Sequence, residues 1–405
     1  MPYEPPSPKV PAIMVQDLST AEYRCPGETA SISRAVHLGR LATFHAACRQ
    51  CPRRDDTAGL SARHLRQLAE VGSRTDRPPL FHAEGVGKVA INDLGPSLAR
   101  RIAIEFARRI TDPAAGEGKS RAAAVVGSDG RLATAAIVAA IVEGIGWTGC
   151  ETIDIGPASA PCTARAIQHL AADGGIFVGN AHGAPHQVGL KFWFRAEPLS
   201  QGGLLDEIVD SLQTGSGAAT IDRPTRTFGP LRRFAAADVY LNDLRPAYHA
   251  LRPLRFVLNC TAKPVVAYLE ELVRNVACRT IPAETTSGLG EQVVATGAHF
   301  GMQIDDDGEN SQVVDERGRS VAAEHLLAVI AGEFAGPSIR GEERRQQTFR
   351  RMQEGRAALA VDTVGRLWYA SPYAAAPDAL RTLTLLLVLL SRDDLAFSVV
   401  LDRRG

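Results

Sequence analysis

The chain has 405 residues, 45% of them hydrophobic, and its 45 Lys+Arg balance 45 Asp+Glu. That length predicts two to four domains with real apolar cores. Zero net charge removes any bulk-charge case for a nucleic acid or a membrane surface as partner.

In chain order, "MPYEPPSPKVPA" opens a Pro-rich stretch, and residues 1–20 are expected to be a disordered lead. It lacks the basic start and apolar core of a signal peptide. Residues 21–75 are polar and basic, with Leu60, His64, Leu65, Leu68 and Val71 at helical spacing. "TDRPPL" is a linker by its prolines. From about residue 78 the texture alternates. "SLARRIAIEFARRI" predicts a helix, "RAAAVVGSDGR" a buried strand with a tight turn, and "LATAAIVAAIVEGIGWTG" a helix. "CETIDIG" and "GGIFVGN" read as strands around the helix "APCTARAIQHLAAD". This βαβαβ rhythm predicts mostly parallel sheets covered by helices, an α/β class.

The rhythm pauses at "LQTGSGAATIDRPT" and resumes with "LRFVLNC", "PVVAYLEELVRNV" and "HFGMQID". A third round runs from the hairpin "SQVVDERGRSV" to the apolar "TLTLLLVLLS". The latter is too short to span a bilayer and reads as a core helix. Three successive α/β domains are expected, at 78–213, 230–312 and 313–405, in a soluble, cytoplasmic protein.

Cys150, Cys162, Cys260 and Cys278 lie singly in apolar segments and read as buried thiols. Cys25, Cys48 and Cys51 differ. A Cys-x2-Cys pair with a third Cys upstream suits a tetrahedral zinc ion, with His37, His45 or His64 as fourth ligand. An iron–sulfur cluster is the rarer option, and unrelated thiols are the bland one. The arginines around the cysteines read first as a solvated face, then as a face for a protein partner.

One loop, "FVGNAHGAPHQVGLKFW", looks catalytic, yet its centre carries no hydroxyl, thiol or carboxylate. Four segments in order explain it: "LFHAEGVGKV", "VVGSDGR", the run from "DIGPASAP" through this loop, and "HFGMQIDDDGENSQVVDERGR". Together they resemble the α-D-phosphohexomutases, the phosphoglucomutase/phosphomannomutase family, from about residue 80 to the end. The resemblance implies a serine in the loop that carries a phosphoryl group. It also implies a Mg²⁺ held by an Asp-Gly-Asp-Gly-Asp-Arg loop, and transfer to and from a hexose phosphate. Phosphoryl transfer is mainly positioning and charge neutralisation, so each part matters.

Several parts differ in this chain. Ala181 stands at the phosphoserine position, while His182 and Lys191 are kept. Asp129 and Arg131 are kept at the first strand end, where Ser128 replaces an Arg. Asp305 and Asp307 are kept in the metal loop, and Glu309 takes the third acid's place, so the resemblance makes these three the Mg²⁺ candidates. Gly87 replaces the Arg of the opening segment, with Lys88 beside it. The sugar-selecting Gly-Glu-x-Ser-Gly-His loop is expected near 353–357 and is not reproduced there. The third domain is short, and the fourth has no room. The expectation is a binding or regulatory module without mutase turnover, with Lys88, Arg131, His182 and Lys191 as its ligand-binding residues for a sugar phosphate. The alternatives are an active intramolecular phosphotransferase on hexose phosphates, with His182 as a conceivable acceptor, or a structural docking partner.

Overall fold

The computed structural model describes residues 23–26, 28–43, 45, 48, 51–72, 80–90, 93–111, 121–180, 187–214, 227–284, 288–332, 337–342, 344–370 and 373–404. The lead at 1–20 lies outside them. The chain divides into two compact units, Met1–Thr75 and Asp76–Gly405.

In the first unit, Tyr23–Arg24 pairs antiparallel with Ser31–Ile32. The helix Arg34–Ala42 starts at Ser33, whose hydroxyl accepts from the Val36 N–H at 3.3 Å. This caps one of the free donors of the first turn. The helix Ala62–Gly72 matches the periodic stretch read from the sequence. Tyr23, Cys25, Leu41, Cys48 and Cys51 form the buried apolar set, with His37 among them.

The second unit is built on three sheets among the described residues. In the first, the strands run Leu231–Arg233, Glu151–Pro157, Ala123–Ser128, Gly174–Gly179, Gln187–Phe194, Gly85–Ala90 and Phe81–His82, with Glu197–Pro198 paired to the fifth. The strands 231–233, 151–157, 123–128 and 174–179 are parallel; 187–194 turns antiparallel. Helices Pro96–Ile110 and Ala135–Trp147 pack together, and Arg100 pairs with Glu143 at 2.7 Å between them. The central strands are buried on both faces, which explains their unbroken apolar runs.

The second sheet orders Arg279–Pro282, Arg255–Cys260, Phe300–Ile304, Ser311–Asp315 and Ser320–Val321. The third orders Ser338–Arg340, Leu359–Val361, Leu367–Tyr369 and Ala376–Pro377. Two expected boundaries shift. Leu231–Arg233 joins the first sheet's edge instead of opening the second domain. The hairpin at 311–321 completes the second sheet instead of opening the third. Hydrogen bonding with a neighbouring strand decides membership, and the local pattern does not carry that.

The apolar run "TLTLLLVLL" is the core of helix Ala379–Ser391. Leu380, Leu383, Leu386, Leu387, Leu389 and Leu390 are buried in the main core. Each such side chain contributes about 1.5–3 kcal/mol on burial. Asp378 caps this helix by accepting from the Arg381 N–H at 2.9 Å. The residues that follow form one more helix, Phe397–Arg404, whose Phe397, Val400 and Leu401 join the same core.

Candidate functional site

At the C-terminal end of strand Ala123–Ser128, the chain turns through Asp129, Gly130 and Arg131. Asp129 accepts from the Arg131 N–H at 3.0 Å and from Arg131 Nε at 2.5 Å. Arg131 Nη1 donates to the Gln187 carbonyl at 3.0 Å. The arginine thereby ties this turn to the start of strand Gln187–Phe194. Burial pushes the Asp129 carboxyl up, and Arg131 pulls against it.

The loop between strands Phe300–Ile304 and Ser311–Asp315 holds the acidic cluster. Asp305 commits its carboxylate to the turn itself, accepting from the backbone N–H of Glu309 at 2.8 Å and of Asn310 at 3.0 Å. Gly308 supplies the left-handed backbone of that turn, at φ 79°. Asp306 accepts from Asn180 Nδ2 and from Thr261 Oγ1. Asn180 follows strand Gly174–Gly179 directly, so the base of the catalytic-looking loop adjoins the acidic loop. Gly179 keeps the approach open, since a Cβ there would lie 2.3 Å from Asp307 Oδ1.

Asp307 is fully buried, and Lys191 Nζ lies 2.5 Å from its Oδ2. The same ammonium donates to Glu309 Oε2 at 2.8 Å. Arg345, buried at the first position of helix Arg345–Glu354, donates Nη2 to Glu309 Oε1 at 2.5 Å. Arg366 Nη1 stands 3.8 Å from Glu309. Burial alone would raise the Glu309 carboxyl, but Arg345, Lys191 and Arg366 overcome it and hold it down at about 2. Burial would lower the Lys191 ammonium; Asp307 and Glu309 reverse that and raise it.

Arg366 extends the network to the opening segment. Its guanidinium binds Glu84 in a bidentate pair, at 2.8 and 2.6 Å, and donates Nε to Asp362 at 2.7 Å. Trp368 Nε1 donates to the same carboxylate at 2.9 Å. Bidentate Arg–carboxylate pairs are strong and orientation-specific. Segments from all three sheets therefore meet in one charged cluster, buried at Lys191, Asp307, Glu309, Arg345, Asp362 and Arg366 and half-buried at Glu84.

Arg345, Arg366, Glu84 and Asp362 were absent from the sequence expectations. Arg345 sits in an Arg-rich polar run with no distinguishing signal. Asp362 and Arg366 had one. The hairpin turn at 362–366 reads Asp-Thr-Val-Gly-Arg. That matches the acid-x-x-Gly-base order of the family's sugar loop, with Asp for Glu and Arg for His. The expected place near 353–357 is instead the end of helix Arg345–Glu354 and the turn after it. Ala181 and His182, and the side chain of Lys88, lie outside the described residues.

A sequence model of the family described as phosphoglucomutase/phosphomannomutase, alpha/beta/alpha domain I, matches residues 78–215. A phosphoglucosamine mutase of Symbiobacterium thermophilum is 28% identical over 274 residues, 63% of this chain and 60% of that protein. A phosphoglucomutase/phosphomannomutase of Thermococcus kodakarensis is also 28% identical over 274 residues, 62% of this chain and 58% of its own. The chain belongs to the α-D-phosphohexomutase family. It spans about three-fifths of the length of these curated relatives. The family fold is also seen in a phosphoglucomutase/phosphomannomutase family protein from Burkholderia thailandensis. That structure has TM-score 0.69 at 20% identity, covering 80% of this chain and 79% of that one. The Paramecium phosphoglucomutase parafusin, in its open form, gives TM-score 0.60 at 13% identity, with 82% and 74% covered.

The family's metal loop maps to 305–309, yet no group of three His, Cys, Asp or Glu among the described residues is arranged to hold a metal ion. Asp305 is engaged by the turn and Glu309 by Lys191 and Arg345, while both carboxylate oxygens of buried Asp307 have no hydrogen-bond partner, though Lys191 lies beside them.

At the N-terminal cysteines the fourth-ligand expectations meet competing contacts. His37 stacks on Tyr23 at 4.3 Å, with Nε2 3.1 Å from the Asp56 carbonyl. His64 Nδ1 lies 2.9 Å from Ser61 Oγ. Cys25, Cys48 and Cys51 are buried, and Arg40 Nη1 donates to Cys25 Sγ at 2.9 Å. Burial, with the neighbouring Cys25 and Cys51, pushes the Cys48 thiol up to about 11. Among the described residues, no helix is long and apolar enough to cross a membrane.

Proposed function

We propose that this family member works as a binding or regulatory module and does not run the phosphoserine cycle. Ala181 carries the reading: a methyl group cannot accept a phosphoryl group, and the cycle needs that covalent carrier. A hexose phosphate is the proposed ligand, met by Lys88, Arg131, His182 and Lys191. The names of the relatives favour a second reading, an active phosphotransferase on hexose phosphates. A structural docking partner, bound through residues 21–75, is the third.

One experiment separates them. Purified protein is assayed with glucose 1-phosphate, mannose 1-phosphate and glucosamine 1-phosphate, each with its 1,6-bisphosphate primer and Mg²⁺. The expected result is no turnover, with a thermal shift from at least one sugar phosphate by mass action. Turnover that vanishes in His182→Ala establishes the second reading. Neither turnover nor a shift leaves the docking role.

Zinc at Cys25, Cys48 and Cys51 is a separate proposal. It rests on their spacing and on the burial of three thiols in a unit with few large apolar residues. The ion would have to draw its ligands together, so binding and folding would be coupled.

A further inference from the structure

We infer that a cavity walled by helices Ala160–His169, Ala236–Leu244 and Ala379–Ser391 is a second ligand site, and that it takes a small monocarboxylate with an apolar body no larger than a single ring. The inference goes beyond the proposed function and uses none of the residues assigned there to the sugar phosphate.

The cavity has a volume of about 110 Å³. That is the same order as the roughly 150 Å³ that takes up one benzene ring in an apolar protein interior. Its lining divides by chemistry. Pro161, Ala164, Leu244 and Ala375 supply apolar wall. Arg165 and Arg381 supply positive charge, and each lies over a tyrosine ring. Arg165 is 3.6 Å from the Tyr373 centroid, and Arg381 is 5.1 Å from that of Tyr369. Stacking uses the face of a guanidinium and fixes its plane, while its N–H groups point outward along the edge, where a carboxylate binds.

The acids of the cavity are already engaged. Asp243 accepts from Arg165 Nε and from the Tyr373 hydroxyl, both at 2.5 Å. Asp378 accepts from the Tyr240 hydroxyl and from the Arg381 N–H, both at 2.9 Å. A cationic ligand would have to displace these donors. A carboxylate would not, because a guanidinium carries five N–H donors and Asp243 takes only the Nε–H of Arg165 in that pair. Apolar walls with a few charged groups that orient the ligand are the usual make-up of a small-molecule site. The cavity also reaches the acidic loop through the backbone. The Ala160 N–H donates to the Asp307 carbonyl at 2.9 Å, and the Ala379 N–H to the Gly308 carbonyl at 3.1 Å. These are the first residues of two of the wall helices, so a ligand that steadies the helices steadies the loop.

The test adds benzoate to full-length protein and follows calorimetric heat and backbone hydrogen exchange. Benzoate is expected to bind saturably and to slow exchange in helix Ala160–His169, in the first turn of helix Ala379–Ser391 and in the loop at 305–309. Benzamide has the shape without the charge, and benzylamine has the opposite charge. Both are expected to bind at least about tenfold more weakly than benzoate. Ala164→Leu puts a good helix former on the cavity wall and fills the space, so it should abolish both the heat and the protection. Arg165→Gln should weaken benzoate about tenfold and leave benzamide unchanged. No saturable heat from benzoate up to about 10 mM overturns the inference. So does benzamide or benzylamine binding as tightly as benzoate, or native-like benzoate binding by Ala164→Leu. The first two arms need no variant. Benzoate binding without a thermal shift from any sugar phosphate would count against the proposed function and leave this inference standing; a sugar-phosphate shift without benzoate binding does the reverse.

Discussion

Two buried carboxylates in the same unit behave in opposite ways. Glu309 and Asp378 are both removed from water. Glu309 faces Lys191, Arg345 and Arg366, and its carboxyl is held at about 2. Asp378 caps a helix through the Arg381 N–H, accepts from the Tyr240 hydroxyl at 2.9 Å, and feels the Arg381 charge coulombically; burial drives it up to about 6. Burial penalises both anions equally in kind. Full positive charges reverse the penalty at one site, while neutral donors leave much of it at the other. A buried acid's partner therefore decides which way it titrates.

The largest effect expected from breaking this contrast is at Glu309. Glu309→Gln leaves three buried cations with one carboxylate fewer. The expected loss is about 3–5 kcal/mol, measured by urea unfolding at pH 7. The pH sign follows from the lowered carboxyl. Its contribution is fully present above the ordinary value of 4.5 and is lost as pH falls toward 2. The variant should therefore lack part of the native protein's acid-induced loss of stability below pH 4.5. Equal unfolding curves for the two proteins would break the comparison.

Asp378→Asn should do the reverse. With the carboxyl raised from 3.8 to about 6, the native state binds more protons between those values. Asp378 therefore loses stability as pH rises through that window and gains none back above it. The amide keeps an acceptor for the Arg381 N–H and for Tyr240. Relative to the native protein, the variant should gain up to about 3 kcal/mol between pH 3.5 and pH 7, because each tenfold change in proton affinity is about 1.4 kcal/mol. A stability difference that does not change with pH would show that Asp378 is not the group titrating.

Gly179→Ala sharpens the comparison from the packing side. The new methyl would meet Asp307 Oδ1 at 2.3 Å and the Phe177 ring at 2.5 Å. Overpacking of this kind costs about 1–3 kcal/mol, read as a lowered urea midpoint with an unchanged slope. An unshifted midpoint would mean that the acidic loop yields easily and is less fixed than its ion pairs imply.

The smallest effect on the α/β body is expected from Cys48→Ser. Its thiol is another buried titratable group, held neutral and raised to about 11 by burial and two neighbouring thiols. The substitution should lower bound zinc and make residues 21–75 sensitive to protease, with the body's thermal midpoint unchanged. Elemental analysis of untagged protein with under about a tenth of an equivalent of zinc would reject the zinc proposal, whose basis is ligand spacing.

Much of the fold was legible because its signals are local. "AAVVGS" and "GGIFVG" are apolar runs of strand length, and both form central strands of the first sheet. The Ser33 cap is equally local. Sheet membership was not legible for Leu231–Arg233 or for the hairpin at 311–321, because a strand's partners lie far off in sequence. The site divided the same way. Asp305, Asp307 and Glu309 could be read from one loop, and Lys191 from its motif. Glu84 and Arg366 pair across 282 positions, and nothing near either residue announces the other.

The sequence by itself determined the family resemblance, the α/β alternation and the absence of a hydroxyl at position 181. Those properties reside in residue type and short spacing, which backbone geometry turns directly into strands, turns and motifs. Only the tertiary structure decided how the acidic loop is neutralised. Ion pairs such as Lys191–Asp307 and Arg345–Glu309 depend on packing that brings remote segments to within a few ångströms. Once water is excluded there, buried acids must find positive partners, and the fold decides which cations are close enough to serve.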